Sequence, residues 1–335
     1  MTLRAVGRRG AARCGTTGEY VRIRTSIRPA AGCLALVLVL TGCGGSRNGT
    51  TETSPATPAP SGSFVAGGQP SAATPCGITR TPPKYEHVVW VVLENKGPGL
   101  IVKSASASYF NELIGKCGYA TNAHAGKHPS LPNYIAMTSG SAQEINDNGP
   151  PAVHPLNVES IFSQLGPNRW RALAESMPGN CHKTDSGKYV AHHNPPTYYV
   201  NISAQCETQD VPLGDTPDIS APFTFIAPNQ DNNTHDTNVA AGDAWLKSFM
   251  PKILNSPQYR AGKTAAVITF DEDEGRDSQA NPIPTLVLSP STGIGAKPDT
   301  HYTHYSLLRT TEELLGLGLL RNASTATSMR EGFNL

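Results

Sequence analysis

Four short runs of the chain are apolar at nearly every position: HVVWVVL (87–93), PFTFIAP (222–228), TAAVITF (264–270) and TLVLSP (285–290). Runs of this length, several rich in β-branched residues and none with a polar face, predict strands buried on both sides. Helix-like segments lie between and beyond them, over 108–117, 157–165, 238–254 and 304–317. Strands alternating with helices predict an α/β fold with a mainly parallel central sheet flanked by helices. A further helix is predicted over 132–139, because Pro132 is tolerated in a first helical turn. Ser130, between Pro129 and Pro132, then falls at or beside the N-cap. It is either a plain cap or a nucleophile held where free N–H groups and the helix dipole favour an anion such as phosphate. The stretch 166–219, rich in His, Pro, Asn and Tyr, looks like an insertion or lid over the site.

Before residue 75 the pattern is different. Arginines at 22, 24 and 28 precede the apolar run CLALVLVL and the tetrad LTGC, the layout of a secretory signal. A run of about ten apolar residues is too short to span a bilayer core of roughly 30 Å. LTGC resembles a bacterial lipobox, which implies lipidation of Cys43 and an exported lipoprotein held on the outer face of the cell membrane or released from it. Residues 44–74 are Ser, Thr, Pro, Gly and Ala with hardly a large apolar side chain, so they read as a flexible tether. The expected organisation is a signal peptide over 1–42, a tether over 43–74 and one folded domain over 75–335.

Composition narrows the partners. The chain has 335 residues and a formal charge of +1; the leader carries seven arginines and one glutamate, so residues 43–335 stand at −5. Nothing in that balance points to nucleic acid, which calls for a basic patch, and no protein partner is inferred. Of the seven cysteines, Cys14 and Cys33 leave with the leader and Cys43 takes the lipid. Cys76, Cys117, Cys181 and Cys206 remain, an even number suited to an oxidising compartment. Three pairings are possible, of which Cys76 with Cys117 and Cys181 with Cys206 is favoured because each pair closes a local loop.

In parallel sheets ligands bind beyond the carboxyl ends of the strands. There the sequence places Glu94 and Asn95 after the first run, Asn229 with His235 and Asp236 after the second, and Asp271 to Glu274 after the third. With EN at 94–95, HPSLPNY at 128–134, HNP at 193–195, FIAPN followed by His235 and Asp236, FDEDEG at 270–275 and YTHYSLLRTTE at 302–312, the chain resembles the bacterial phosphoesterase family of acid phosphatases and phospholipases C. These motifs run in family order across most of the folded part. The resemblance implies an alkaline-phosphatase-like fold and a Ser130 nucleophile that takes the phosphoryl group. It also implies a divalent metal held by Glu94, Asn95, Ser130, Asp271 and Glu272, all oxygen donors of the kind a hard or borderline ion takes.

The resemblance further puts His193 on the substrate or leaving group, and His128, Asn133, His192 and Asn229 are the candidate substrate-binding residues beside it and the nucleophile. Asn229 stands where many relatives carry a metal-binding Asp, so one ion is expected, a second remaining an option. Protonated His235 and His304 would then hold the phosphate, giving an acidic optimum. The expected activity is hydrolysis of small phosphomonoesters through a phosphoserine. The alternatives are a phospholipase C-type diesterase and, in another class, a phosphate-binding lipoprotein without catalysis.

Overall fold

A computed structural model describes residues 62–65, 67–275 and 280–335, all within the unit Thr57–Leu335. The signal peptide, Cys43 and most of the tether lie outside the described residues. Strands β1 (His87–Leu93), β2 (Gly118–Ala120), β3 (Ala123–His124), β4 (Trp170–Ala174), β5 (Asp210–Pro212), β6 (Phe223–Ala227), β7 (Thr264–Phe270), β8 (Thr285–Leu288) and β9 (Tyr302–Thr303) follow in chain order. Seven of them form one sheet in the order β2-β8-β7-β1-β6-β4-β5, and β3 pairs with β9 apart from it. The five strands from β7 to β5 are parallel, while β8 runs antiparallel to both neighbours. The sheet is therefore mixed and mainly parallel.

Helices α1 (Ser108–Lys116), α2 (Ser130–Ser139), α3 (Val239–Leu254) and α4 (His304–Leu315) cover the sheet. Side chains alternate across a strand, and β1 shows which helices lie on which face. Trp90 donates its indole N–H to Thr311 of α4 at 3.0 Å, whereas Leu93 lines a small pocket together with Phe110 of α1 and Leu246 of α3. Glu94, an even-numbered neighbour of Trp90, is thereby turned toward α2 and α4. With helices on both faces, β1 and β7 are buried at nearly every position, which is why their runs are apolar at nearly every position. Helix α2 is buried along all ten residues and stops at Gly140, whose φ is +75°. A Cβ there would come within 2.3 Å of the Leu320 carbonyl oxygen, so only glycine fits.

Three expectations need correction. The stretch 166–219 is not wholly an insertion, because β4 and β5 inside it extend the sheet. The helix expected over 157–165 is confined to Ile161–Leu165, capped by Ser160. The last part of the expected tether lies on the domain: Ser63 exchanges backbone hydrogen bonds with Ile294, and the Ala72 N–H donates to Asn255 Oδ1 at 3.0 Å. Both expected disulfides, Cys76–Cys117 and Cys181–Cys206, are formed, and such bonds belong to an oxidising compartment outside the cytoplasm.

Candidate active site

The site grows from the register of β1 and β7. Leu93 pairs with Phe270, so the next residues, Glu94 and Asp271, emerge side by side at the carboxyl edge. The Asp271 N–H donates to the Leu93 carbonyl at 3.0 Å, and the Asn95 N–H donates to Asp271 Oδ1 at 3.0 Å. Beyond β6 the loop 228–236 folds back, and the Asn233 carbonyl accepts the Glu94 N–H at 2.8 Å. Helix α2 supplies the nucleophile candidate: Ser130 occupies its first turn, with Pro129 as the cap residue. The Ser130 hydroxyl donates to Glu94 Oε2 at 3.0 Å. One turn later the Tyr134 hydroxyl donates to Glu94 Oε1 at 2.6 Å.

Glu94 and Asp271 are both fully buried. Burial, then the neighbouring Asp271 charge, pushes the Glu94 carboxyl well above the usual carboxylate range, and burial pushes Asp271 up as well. Asp271 Oδ2 has no hydrogen-bond partner. Two adjoining buried carboxylates with an orphaned oxygen call for a proton or a cation. Glu272 adds a third carboxylate, Asn95 an amide and Ser130 a hydroxyl. This all-oxygen set fits a hard or borderline divalent ion. It is not drawn tight: among the described residues only Cys181, Cys206 and Asp210 bring three metal-type ligand atoms within 4.8 Å of one another, and those sulfurs are joined in a disulfide.

Above these groups opens a cleft of about 650 Å³, lined by Asn95, Lys96, His128, Ser130, His235 and Glu272 among others. His128 Nδ1 lies 2.9 Å from Glu272 Oε2, and His235 Nδ1 lies 2.9 Å from Asp236 Oδ1 at the exposed rim. Asn133 sits below and braces the approach to Ser130. Its Oδ1 accepts the Lys127 N–H at 3.0 Å, and its amide donates to the carbonyls of Lys127 and Pro129.

Other expected residues lie elsewhere. His193 is buried behind Glu94, its Nε2 3.0 Å from Glu94 Oε1 and its ring stacked on Tyr134 at 5.1 Å. The Asn233 amide points at His193 Nδ1 from 3.3 Å, which leaves the proton of a neutral ring on Nε2, facing Glu94. Burial holds that ring well below the usual histidine range, so it stays neutral. His192 packs on His193 and is also pushed down by burial, to about 4. Neither ring lines the cleft. His304 does not reach it either: Nε2 lies 3.0 Å from the Phe270 carbonyl, and burial lowers its pKa to about 4. A ring that is neutral at mildly acidic pH holds no phosphate by charge. Asn229 turns inward, its Oδ1 accepting the N–H groups of Asp231 and Asn232 and its amide donating to Ser176.

Lys96, Tyr134 and Asn233, to which the sequence motifs assign no role, also stand at the site. Tyr134 carried a usable signal, because it lies four residues after Ser130 and so shares its helix face.

A mainly parallel sheet with buried carboxylates at the ends of its central strands defines an α/β fold of the alkaline phosphatase kind. In agreement, a solved structure of an alkaline phosphatase superfamily protein from Vibrio parahaemolyticus superposes with a TM-score of 0.53 at 13% identity, covering 79% of this chain and 74% of that one. Residues 103–318 match the Phosphoesterase family, and the chain belongs to it. It is 31% identical over 258 residues to a phosphatidylinositol-3-phosphatase of Mycobacterium tuberculosis, covering 74% of this chain and 83% of the relative. An acid phosphatase of Aspergillus fumigatus is 30% identical over 217 residues, or 59% of this chain. The chain spans about half the length of that fungal relative. This is thus an enzyme of the phosphoesterase and acid phosphatase family.

Proposed function

We propose that the chain hydrolyses phosphomonoesters through a phosphoserine on Ser130, with a divalent ion held by Glu94, Asn95, Asp271, Glu272 and Ser130. The observation that carries this reading is the Ser130 hydroxyl donating to Glu94 at 3.0 Å on the floor of the cleft. Its proton is directed onto Glu94 Oε2, and Ser130 lines the cleft that a phosphate would enter. Attack by Oγ on phosphorus forms the P–Oγ bond as the serine proton passes to Glu94, and it breaks the P–O bond to the leaving oxygen, which takes a proton from solvent and departs as the alcohol. Water then takes the phosphoryl group from Ser130 and releases inorganic phosphate. When bound, the ion lowers the serine pKa and offsets phosphoryl charge.

Burial and neutrality set His193 against Glu94 as a positioning residue and leave His235 and His128 as the histidines facing the cleft. The resemblance to a phosphatidylinositol-3-phosphatase favours monoesters carried on a lipid headgroup as well as small soluble ones. Anchoring through a lipid on Cys43 would hold the enzyme near such substrates. The test compares wild type with Ser130→Ala on p-nitrophenyl phosphate, phosphatidylinositol 3-phosphate and phosphatidylcholine. Undiminished turnover in the alanine variant would sink the phosphoserine. Preference for phosphatidylcholine would make the protein a phospholipase C, and phosphate binding without turnover a binding protein.

A further inference from the structure

The cleft is crowded with acid. Glu272, Asp273 and Glu274 line it, and Glu94 and Asp271 are buried beneath. A phosphate ester entering this field meets repulsion that the chain must answer. Lys96 is the only lysine or arginine among the described residues lining the cleft. Its side chain is half-buried, and Nζ donates to the Thr234 carbonyl at 3.0 Å. An ammonium has three protons, so two remain for another acceptor.

The backbone that receives Lys96 is built for it. Thr234 has φ of +81°, a conformation that a β-branched residue rarely adopts. It is held there by its own hydroxyl, which donates to the Glu94 carbonyl at 2.5 Å. The preceding Asn233 carbonyl accepts the Glu94 N–H at 2.8 Å. Strain of this kind persists only where surrounding contacts over-determine it, and it gathers at ligand sites. Here it turns one carbonyl onto the ammonium beside the Glu94 and Ser130 pair.

We propose that Lys96 binds the substrate phosphate and selects the doubly charged phosphomonoester over the singly charged diester. The proposal rests on the hydrolase reading and names what its cleft prefers. A monoester above its second pKa of about 6 carries one more negative charge than a diester. The ammonium gains on that extra charge and gains nothing comparable on the diester, so removing it should erase selectivity and leave the chemistry in place.

The experiment measures kcat/KM of the full chain at about pH 7.5, above the second pKa of the monoester, for p-nitrophenyl phosphate and bis(p-nitrophenyl) phosphate in wild type, Lys96→Met and Lys96→Arg. The methionine variant is expected to lose roughly 10- to 100-fold on the monoester, about 1.4 to 2.7 kcal/mol, and less than about threefold on the diester. The arginine variant keeps most of the selectivity. Equal losses on both esters, or no loss on the monoester, overturn the proposal. If wild type cleaves neither ester, the hydrolase reading fails on its own, and calorimetric titration with inorganic phosphate decides for Lys96. Affinity about tenfold weaker in Lys96→Met upholds the contact, and unchanged affinity refutes it. Lys96→Gln can still donate to the Thr234 carbonyl without charge, and it replaces the methionine variant if that chain does not fold.

Discussion

Tyr134→Phe removes one oxygen atom and should be felt in both stability and turnover. The Tyr134 hydroxyl donates to Glu94 Oε1 at 2.6 Å, and both groups are buried. Without it Glu94 keeps the Ser130 hydroxyl on Oε2, with His193 Nε2 lying 3.0 Å from Oε1. The ring can stay stacked on His193 at 5.1 Å and edge-on to Phe225 at 6.1 Å, so almost no cavity opens. The loss is therefore that of one hydrogen bond to a buried acid, about 2 kcal/mol. For a domain of this size that lowers the melting temperature by about 4–8 °C. A carboxylate freed on one side also holds a bound ion less well, by about 10- to 100-fold where such outer contacts have been removed. The assay is thermal unfolding with and without a chelator, together with kcat on p-nitrophenyl phosphate and a metal titration. An unchanged melting temperature with unchanged kcat would refute the view that Tyr134 holds Glu94 in place.

Burial pushes Glu312 up from 4.5 to about 7, and the Leu320 N–H on its Oε1 at 3.0 Å opposes this only in part. The folded chain thus keeps a proton that the unfolded chain gives up sooner, so stability is full below about pH 4.5 and falls as pH rises through 7. Glu312→Gln should therefore melt progressively higher than wild type as pH rises from 4.5 to about 8, and a difference constant across that range would disprove the assignment. Replacing Cys76 and Cys117 by serine opens a loop with a sequence separation of 41 and should cost about 4 kcal/mol in denaturant unfolding; the 25-residue separation of Cys181 and Cys206 predicts about 3.5 kcal/mol. A chain beginning at Pro75 loses the Ser63 and Ala72 contacts and should melt lower than one beginning at Thr57 with equal kcat, whereas lost turnover would tie the segment to the site.

What could be read from the sequence was what repeats along it. Strands β1, β6, β7 and β8 are apolar at nearly every position because both faces are covered. Strand β4 carries Arg171 among Trp170, Ala172 and Leu173, and its stretch is otherwise rich in polar residues, so no period marked it. β5 is three residues long and begins with a buried aspartate. β4, second from the edge, and β5, at the edge, take their form from the strands they pair with. The site followed the same division. Ser130, Glu94 and Asp271 stood at the ends of legible elements, and the structure brings them together. His304 and Asn229 stood in equally good motifs, but a motif does not tell which way a side chain points. His304 is turned back onto the Phe270 carbonyl and Asn229 into its own loop.

The segment expected as a lid has a different part. The Cys181–Cys206 disulfide closes it, and within that loop the Asn194 amide donates to the buried Asp210 carboxylate at 2.8 Å. Asp210 belongs to β5, so the HNP turn is fastened to the edge of the sheet. Asn194 fixed in this way places His193 beneath the cleft, against Glu94 and the face of Tyr134. A lid moves so that substrate can enter, whereas this turn is stapled at both ends and buried. Lys188 and the rim adjoin it differently: its Nζ contacts Asp231 at 2.7 Å and Asp236 at 3.2 Å through half-exposed side chains, and such surface pairs hold weakly. The loop of Asp231 and Asp236, which carries His235 at the cleft, is held instead by the Asn233 carbonyl and the Thr234 hydroxyl on the Glu94 backbone and by the Asn232 amide on Glu175. The segment with His193 acts as the back wall that keeps Glu94 aimed at Ser130.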